Sequence, residues 1–286
     1  PEILKANVEA YRRLRNTIRF LLANLKDFTS AERIAVSGMG ELERFMLAKL
    51  AWLDEQVREY YAGFDFNRLT ATLFNFCTND LSAFYFDIRK DALYCDPEVS
   101  PRRRAVRTAM DEIFRRVVTW FAPILSFTME EAWASRHPES KSVHLEIFPE
   151  TPAEWRAPGL IAKWQRLREL RRVVTGALER ERAAKRIGSS LEALPTIHVC
   201  DRADWEGINS VPFAEVAITS GLGAALGDPP AGAFALADVP GVAVTVELAG
   251  GRKCARCWMV LPQVGTHQRH PDLCDRCDAA LELLDA

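Results

Sequence analysis

Long apolar runs are missing from this sequence; none approaches the roughly 20 residues needed to cross a bilayer. A charged-then-apolar leader is missing too, so neither a membrane protein nor a secreted one is expected. Cysteine is scarce, with seven in 286 residues, four of them in two close pairs. That usage excludes a disulfide framework and points to a reducing compartment with a metal site. Charge of one sign is lacking: 37 Lys and Arg face 39 Asp and Glu, for a net charge of −2, so no global basic field advertises a polyanionic partner. The recurrent enzyme motifs are absent as well. There is no glycine-rich phosphate loop, no G-x-S-x-G and no H-E-x-x-H. The five histidines, His137, His144, His198, His267 and His270, pair with no plausible nucleophile, and Cys77 and Cys95 have no basic activator nearby in sequence. These two thiols read as core or surface groups, and no catalytic residue is expected in this chain. Internal repeats and low-complexity tails are also missing. The sequence opens at Pro1 without a Met, already inside a helical pattern, and is therefore expected to be part of something longer.

What remains is ordinary globular composition, 48% hydrophobic and 27% charged, in a chain long enough for more than one packed unit. The first half carries helical periodicity. Leu4, Val8, Tyr11, Leu14, Ile18, Leu21 and Leu25 recur at steps of three and four and make one stripe. Further helices are predicted over 40–61 and 66–93, then from Ser100-Pro101, an N-cap hydroxyl followed by proline, to Phe121 before Pro123. Thr128-x-x-Glu131 reads as a capping box for a fifth helix. Short connections between these helices predict an antiparallel bundle over 1–145. Prolines at 138, 149, 152 and 158 mark an irregular crossing, followed by a long basic helix over 160–186, so that 146–190 forms a linker and arm. Between Lys163 and Arg186 nine Lys and Arg meet three carboxylates, whereas 187–249 holds one Arg against eight. A basic arm beside an acidic module makes a segmented chain, only part of which suits a polyanion. Strands are predicted over 196–200, 214–219 and 242–248 with a loop over 221–232, giving a small α+β module over 191–250. The fold expected is thus mainly α: helical bundle, long basic helix, small α+β module, and a separate C-terminal ribbon over 251–286.

The ribbon carries the most specific signal. Cys254-Ala-Arg-Cys257 and Cys274-Asp-Arg-Cys277 are separated by sixteen residues. Two such knuckles suit one tetrahedral Zn²⁺ held by four thiolates, a closed and therefore structural site. The residues between them are expected to form a hairpin, and the metal to supply most of the module's folding energy. His267 and His270 lie between the pairs as less suitable substitutes. Arg252, Lys253, Arg256 and Trp258, with Arg276, surround the site; a basic, aromatic hairpin suits phosphate contact and base stacking, and equally suits a solvated surface over a small core. On the first helix Arg12, Arg15, Asn16 and Arg19 fall on one arc beside the apolar stripe. Such a row reads either as a nucleic-acid face or as a solvated one. Arg89 and Lys90, and Arg102 to Arg104, pose the same alternative, with helix-dipole complementarity a further account of the first two.

Several stretches resemble a known family. Tyr11-Arg-Arg-Leu-Arg-Asn-Thr-Ile-Arg-Phe-Leu-Leu-Ala-Asn-Leu25 is similar to the opening helix of the anticodon-binding domain in class I aminoacyl-tRNA synthetases for aliphatic amino acids. Phe76-Cys77 with Asp80-Leu-Ser-Ala-Phe-Tyr-Phe-Asp-Ile-Arg-Lys-Asp91 resembles that domain's third helix, Ala122-Pro-Ile-Leu-Ser-Phe-Thr-Met-Glu-Glu-Ala-Trp133 its closing turn, and Lys185-Arg-Ile-Gly-Ser-Ser-Leu-Glu-Ala193 the junction after the basic helix. The Cys₄ ribbon resembles the bacterial isoleucyl-tRNA synthetase arrangement, and the resemblance is weakest over 196–250. It implies a cytoplasmic, monomeric enzyme that ligates isoleucine to its tRNA with ATP, of which this chain is the C-terminal tRNA-recognition part. The HIGH and KMSKS motifs, and with them the ATP site, do not occur here, nor does an editing insertion, so the catalytic core of the same polypeptide becomes an implied partner. The bundle and the ribbon near Trp258 would then grip the anticodon stem-loop of an isoleucine tRNA. Two alternatives stay open: a zinc-ribbon DNA-binding module, and an assembly domain that binds no RNA.

Overall fold

The apolar stripe of the first segment is buried only from Leu14 onward. The structure, a computed structural model, describes residues 2–285. Helix α1 spans Glu2–Asn24. Leu14, Ile18, Leu21 and Leu25 are buried, whereas Leu4 and Val8 are exposed, so the first two turns of the predicted stripe are not core. Helix α2, Glu41–Ala62, buries Leu42, Phe45, Leu50, Leu53 and Val57 as the periodicity requires.

The third predicted helix is one continuous path with a changed pitch. Helix α3, Phe66–Asn75, runs into a π-helical stretch over Phe76–Tyr85 and then into α4, Phe86–Cys95. A wider turn frees backbone carbonyls from their usual i→i−4 partners. Here the Thr17 hydroxyl of α1 fills one such place: it lies 3.3 Å from the Cys77 carbonyl and 2.8 Å from the Ser82 hydroxyl.

Helix α5, Pro101–Phe121, starts as its sequence dictates. Ser100 accepts from the Arg103 amide, and proline occupies the first turn. This helix is buried along most of its length, so its charged residues need partners. Arg116 donates to Glu112 at 2.6 Å and to the Glu150 carbonyl at 2.8 Å, and its guanidinium lies over Trp155. The fifth helix, α6, is Ser126–Arg136, flanked by Leu125, so the Thr128 capping box does not form. The Thr128 hydroxyl instead pairs with the Tyr11 hydroxyl at 2.8 Å, a tertiary contact that competes with the local one. The proline-rich crossing holds only two 3₁₀ turns, Val143–Leu145 and Ala153–Trp155.

The chain divides into two units, residues 1–94 with 98–158, and residues 95–97 with 159–286. In the second, helix α7, Pro158–Ala183, buries Trp164, Leu167, Leu170, Val173, Val174 and Leu178. Strand β1, Ala193–Val199, lies at the centre of a sheet ordered β2-β1-β4-β3, with β2 at Gly223–Leu226, β3 at Phe234–Ala235 and β4 at Val242–Leu248. β1 pairs antiparallel with β4 and parallel with β2. The parallel pairing needs a crossover, supplied by α8, Arg202–Asn209, and α9, Phe213–Ala217.

Two predictions fail here. The segment 214–219 is not a strand: it falls mostly in α9, which Pro212 precedes, and it buries Val216 and Ala217, beside Phe213. Strand β2 lies inside the stretch read as a loop; its small residues fit against β1, where a side chain on Gly223 would meet Thr196 at 3.0 Å. Pairing with a neighbour, not propensity, makes that strand.

Candidate metal centre and nucleic-acid interface

The ribbon opens on a backbone turn at Gly251 that leaves no room for a side chain. Strand β5, Arg252–Lys253, pairs antiparallel with β6, Val260–Leu261, and this hairpin brackets the first cysteine pair instead of filling the gap between the two, as the sequence had suggested. Gly251 has φ +117°, and a Cβ there would lie 2.3 Å from the Leu261 carbonyl carbon. The first knuckle closes through Trp258 N–H to the Cys254 carbonyl at 3.0 Å and Cys254 N–H to the Met259 carbonyl at 2.8 Å. The second closes through Asp278 N–H to the Cys274 carbonyl at 2.9 Å, at the start of helix α10, Asp275–Asp285.

These turns bring Cys254, Cys257, Cys274 and Cys277 together, all buried, with their sulfurs within 4.8 Å of one another. Four sulfurs held at about 2.3 Å from one tetrahedral ion would sit roughly 3.8 Å apart. The Cys257 and Cys274 sulfurs are 3.7 Å apart, and the Cys274 amide already donates to the Cys254 sulfur at 3.4 Å. The donor set therefore fits zinc and leaves no open position for chemistry. Contact with Cys277 and burial push the Cys257 thiol up to about 12, so metal entry must displace protons. His267 and His270 stand outside the thiol set. They hydrogen-bond Asp275 at 2.8 Å and Asp278 at 2.7 Å, tying their loop to α10.

The basic residues divide into free and engaged. On α1, Arg12, Arg15, Asn16 and Arg19 are all exposed, as is Arg13 beside them. Arg12 pairs with Glu9 at 3.0 Å and Arg15 with Glu131 at 3.6 Å, exposed pairs of little energetic weight. Arg89 must be removed from the candidate surface. It is 5% exposed and makes a bidentate pair with buried Glu43, at 2.6 and 2.8 Å, which Tyr85 joins through its hydroxyl. The charge that looked available in sequence neutralises an acid inside the bundle. Lys90 stays exposed, paired with Asp87. Arg102 pairs with Asp91 and Arg103 with Glu98.

In the second unit the basic arm is largely consumed by its own neighbours. Arg166 chelates Asp204, Arg171 donates to the Val216 carbonyl, and Arg172 pairs with Asp238. On the ribbon, Arg252 and Lys253 are exposed, and the Lys253 ammonium lies 5.5 Å from the ring of Trp258. Trp258 is 62% exposed and left-handed, with φ +67°. A non-glycine residue held there, with its indole in water, marks a built feature rather than a core cover. Arg256 is another correction: its guanidinium donates to the Cys95 carbonyl, so it is not a free phosphate contact.

A concave feature escaped the sequence reading. Lys49, Trp52, Leu53, Thr72, Asn75 and Asp80 line a cavity of about 320 Å³ beside the π-helical stretch, with Lys49 4.6 Å from the Trp52 ring and 3.6 Å from Asp80. Lys49 and Trp52 stand three residues apart on α2, a same-face spacing that was legible, but the Asn75 and Asp80 wall depends on the π-helical pitch.

Fold and site together define a helical-bundle protein with a four-cysteine cluster fit for zinc and with exposed basic residues. Residues 43–198 match the model of the anticodon-binding domain of tRNA ligase, more than half of the chain, and residues 251–280 match the zinc finger found in FPG and IleRS. The chain belongs to the anticodon-binding domain family of tRNA ligases. It is 54% identical over 283 residues to an isoleucine–tRNA ligase of Ruegeria pomeroyi, and 51% identical over 284 residues to that of Brucella abortus. These alignments cover 98% and 99% of this chain but only 29% of each relative. The isoleucine–tRNA ligase of Mesorhizobium japonicum is 51% identical over 287 residues, again across 29% of its length. Among the described residues no helix is long and apolar enough to cross a membrane.

Proposed function

We propose that this chain is the C-terminal tRNA-recognition part of an isoleucine–tRNA ligase and that it binds the anticodon stem-loop of an isoleucine tRNA. The observation that carries the reading is the row Arg12, Arg15, Asn16 and Arg19, exposed on α1, the helix that precedes the stretch 43–198 matched to the anticodon-binding domain. Guanidinium groups fix backbone phosphates, and the amide reads base edges in an unpaired loop. Arg252, Lys253 and Trp258 add a second contact surface, in which the exposed indole stacks a splayed base and the two cations hold phosphate. Lys90, exposed midway along α4, is a further phosphate contact.

One Zn²⁺ on Cys254, Cys257, Cys274 and Cys277 holds the ribbon surface rigid and takes no part in bond making. The chain is organised as a bundle over 1–145, a linker and basic arm over 146–190, an α+β module over 191–250 and the ribbon over 251–286. Isoleucine activation with ATP and transfer to tRNA belong to the catalytic core of the same polypeptide, in a monomeric cytoplasmic enzyme. The test is competition. Isoleucine tRNA should displace a labelled tRNA from this chain, and duplex DNA of equal length should not. Equal displacement by duplex DNA would favour a zinc-ribbon DNA module, and no tRNA binding would favour an assembly domain.

A further inference from the structure

The cavity between α2, α3 and the π-helical stretch has no role in the contacts described so far. Leu53 and Phe76, both buried, line its inner side, and Trp52, 41% exposed, stands at its mouth. Its two charges offset each other. The Lys49 ammonium is 3.6 Å from Asp80 and 4.6 Å from the Trp52 ring, so a ligand cation would find the acid and one ring face taken. An anion would meet the Asp80 carboxylate. The groups left over are neutral. Thr70 and Thr78, on the same helical path, donate to carbonyls four residues back, as do Thr108 and Thr119 on α5. Thr72 makes no such bond, and among the described residues its hydroxyl has no protein partner. The Asn75 Oδ1 accepts from Asn79 at 2.7 Å, which leaves the Asn75 Nδ2 as a donor. Asn75 and Asp80 stand five residues apart, a spacing that an α-helix turns to different faces. The wider pitch brings both to the cavity, and π-helical insertions recur at functional sites.

The ligand that matches these groups is flat and uncharged, with apolar faces and an acceptor on its edge. A volume of about 320 Å³ lies at the lower end of small-ligand pockets, which start at about 300 Å³, and suits one ring system, not a stacked run. We infer that the cavity receives a single unpaired nucleobase, its ring stacked on Trp52 and a ring carbonyl accepting from Thr72 and Asn75. Stacking on an indole tolerates any base, so the carbonyl contact supplies the choice among them. These residues are distinct from the α1 row and from the ribbon, and would make a third contact. That the base is one of a bound tRNA rests on the tRNA reading above; a free mononucleotide offers the same chemistry.

The indole N–H of Trp52 and the side-chain amide of Asn75, assigned in ¹⁵N spectra through Trp52→Phe and Asn75→Asp, report occupancy directly. Uridine and guanosine monophosphates should shift both signals. Adenosine monophosphate, whose base has no ring carbonyl, should shift them least, and ribose 5-phosphate should shift neither. Isoleucine tRNA should shift both as well. Trp52→Ala should weaken tRNA binding about tenfold, the scale of one lost stacking contact. Thr72→Val, which gives up no bond within the fold, should weaken it a few-fold. Shifts with ribose 5-phosphate equal to those with nucleotides, or no shift with tRNA or any monophosphate, would overturn the base site. Shifts with the monophosphates but no binding of tRNA would support the base site and make a free nucleotide its ligand, removing the tRNA reading. Binding of tRNA that leaves both signals unmoved, with unchanged affinity in Trp52→Ala and Thr72→Val, would remove the cavity alone.

Discussion

At the scale of single residues, burial decides which charges remain available. Arg89 and Arg19 look alike in sequence, each a cation on a helix of the bundle. Arg89 sits against Glu43 at 2.6 Å with almost no exposure, while Arg19 stands in water. Removing one partner of a buried pair strands the other charge. Glu43→Ala should therefore cost about 3–5 kcal/mol in chemical denaturation; a loss below 1 kcal/mol would mean that solvent reaches the pair. His137 makes a pH prediction. Burial, and then the Arg136 cation, lower its pKa from 6.5. The unfolded chain then binds the proton more readily, so stability should fall as pH drops through 6.5 toward the depressed folded value and level off below it. Thermal melts across that range should show the decline, and His137→Phe should flatten it.

At the scale of elements, the long helices were legible because their periodicity and caps are local. Ser100-Pro101 set the start of α5 where the sequence placed it. What was not legible depended on partners far along the chain. Nothing local shows that the Cys77 carbonyl would meet Thr17, nor that Gly223-Ala-Ala-Leu226 would find an edge of β1. The candidate site divides the same way. Four cysteines converge as their spacing requires, whereas the fates of Arg89 and Arg256 followed from acids and carbonyls remote in sequence. The ribbon and the α1 face each make a separate prediction. Cys274→Ser should leave helicity by far-UV circular dichroism nearly intact, since the bundle and α7 hold most of the helix, while weakening tRNA binding; collapse of the helical signal would contradict an independent ribbon. Charge reversal at Arg15 and Arg19 should lower both tRNA affinity and the slope of log affinity against log salt. Unchanged binding in that double variant would take α1 out of the interface.

At the scale of the whole molecule, the near-neutral net charge conceals an uneven distribution. Basic residues of α7 pair with carboxylates and carbonyls within the second unit, while Arg172 and Arg180 keep exposed side chains. Further exposed cations lie on α1 and beside Trp258. Binding should accordingly be salt-sensitive with few phosphate contacts, and its selectivity should come from loop bases and not from overall charge. The most direct measurement is the affinity of this chain for isoleucine tRNA beside leucine and valine tRNAs across a salt series. Isoleucine tRNA should bind more tightly at every salt concentration, with a parallel salt slope for all three. Equal affinities, or no binding, would contradict it.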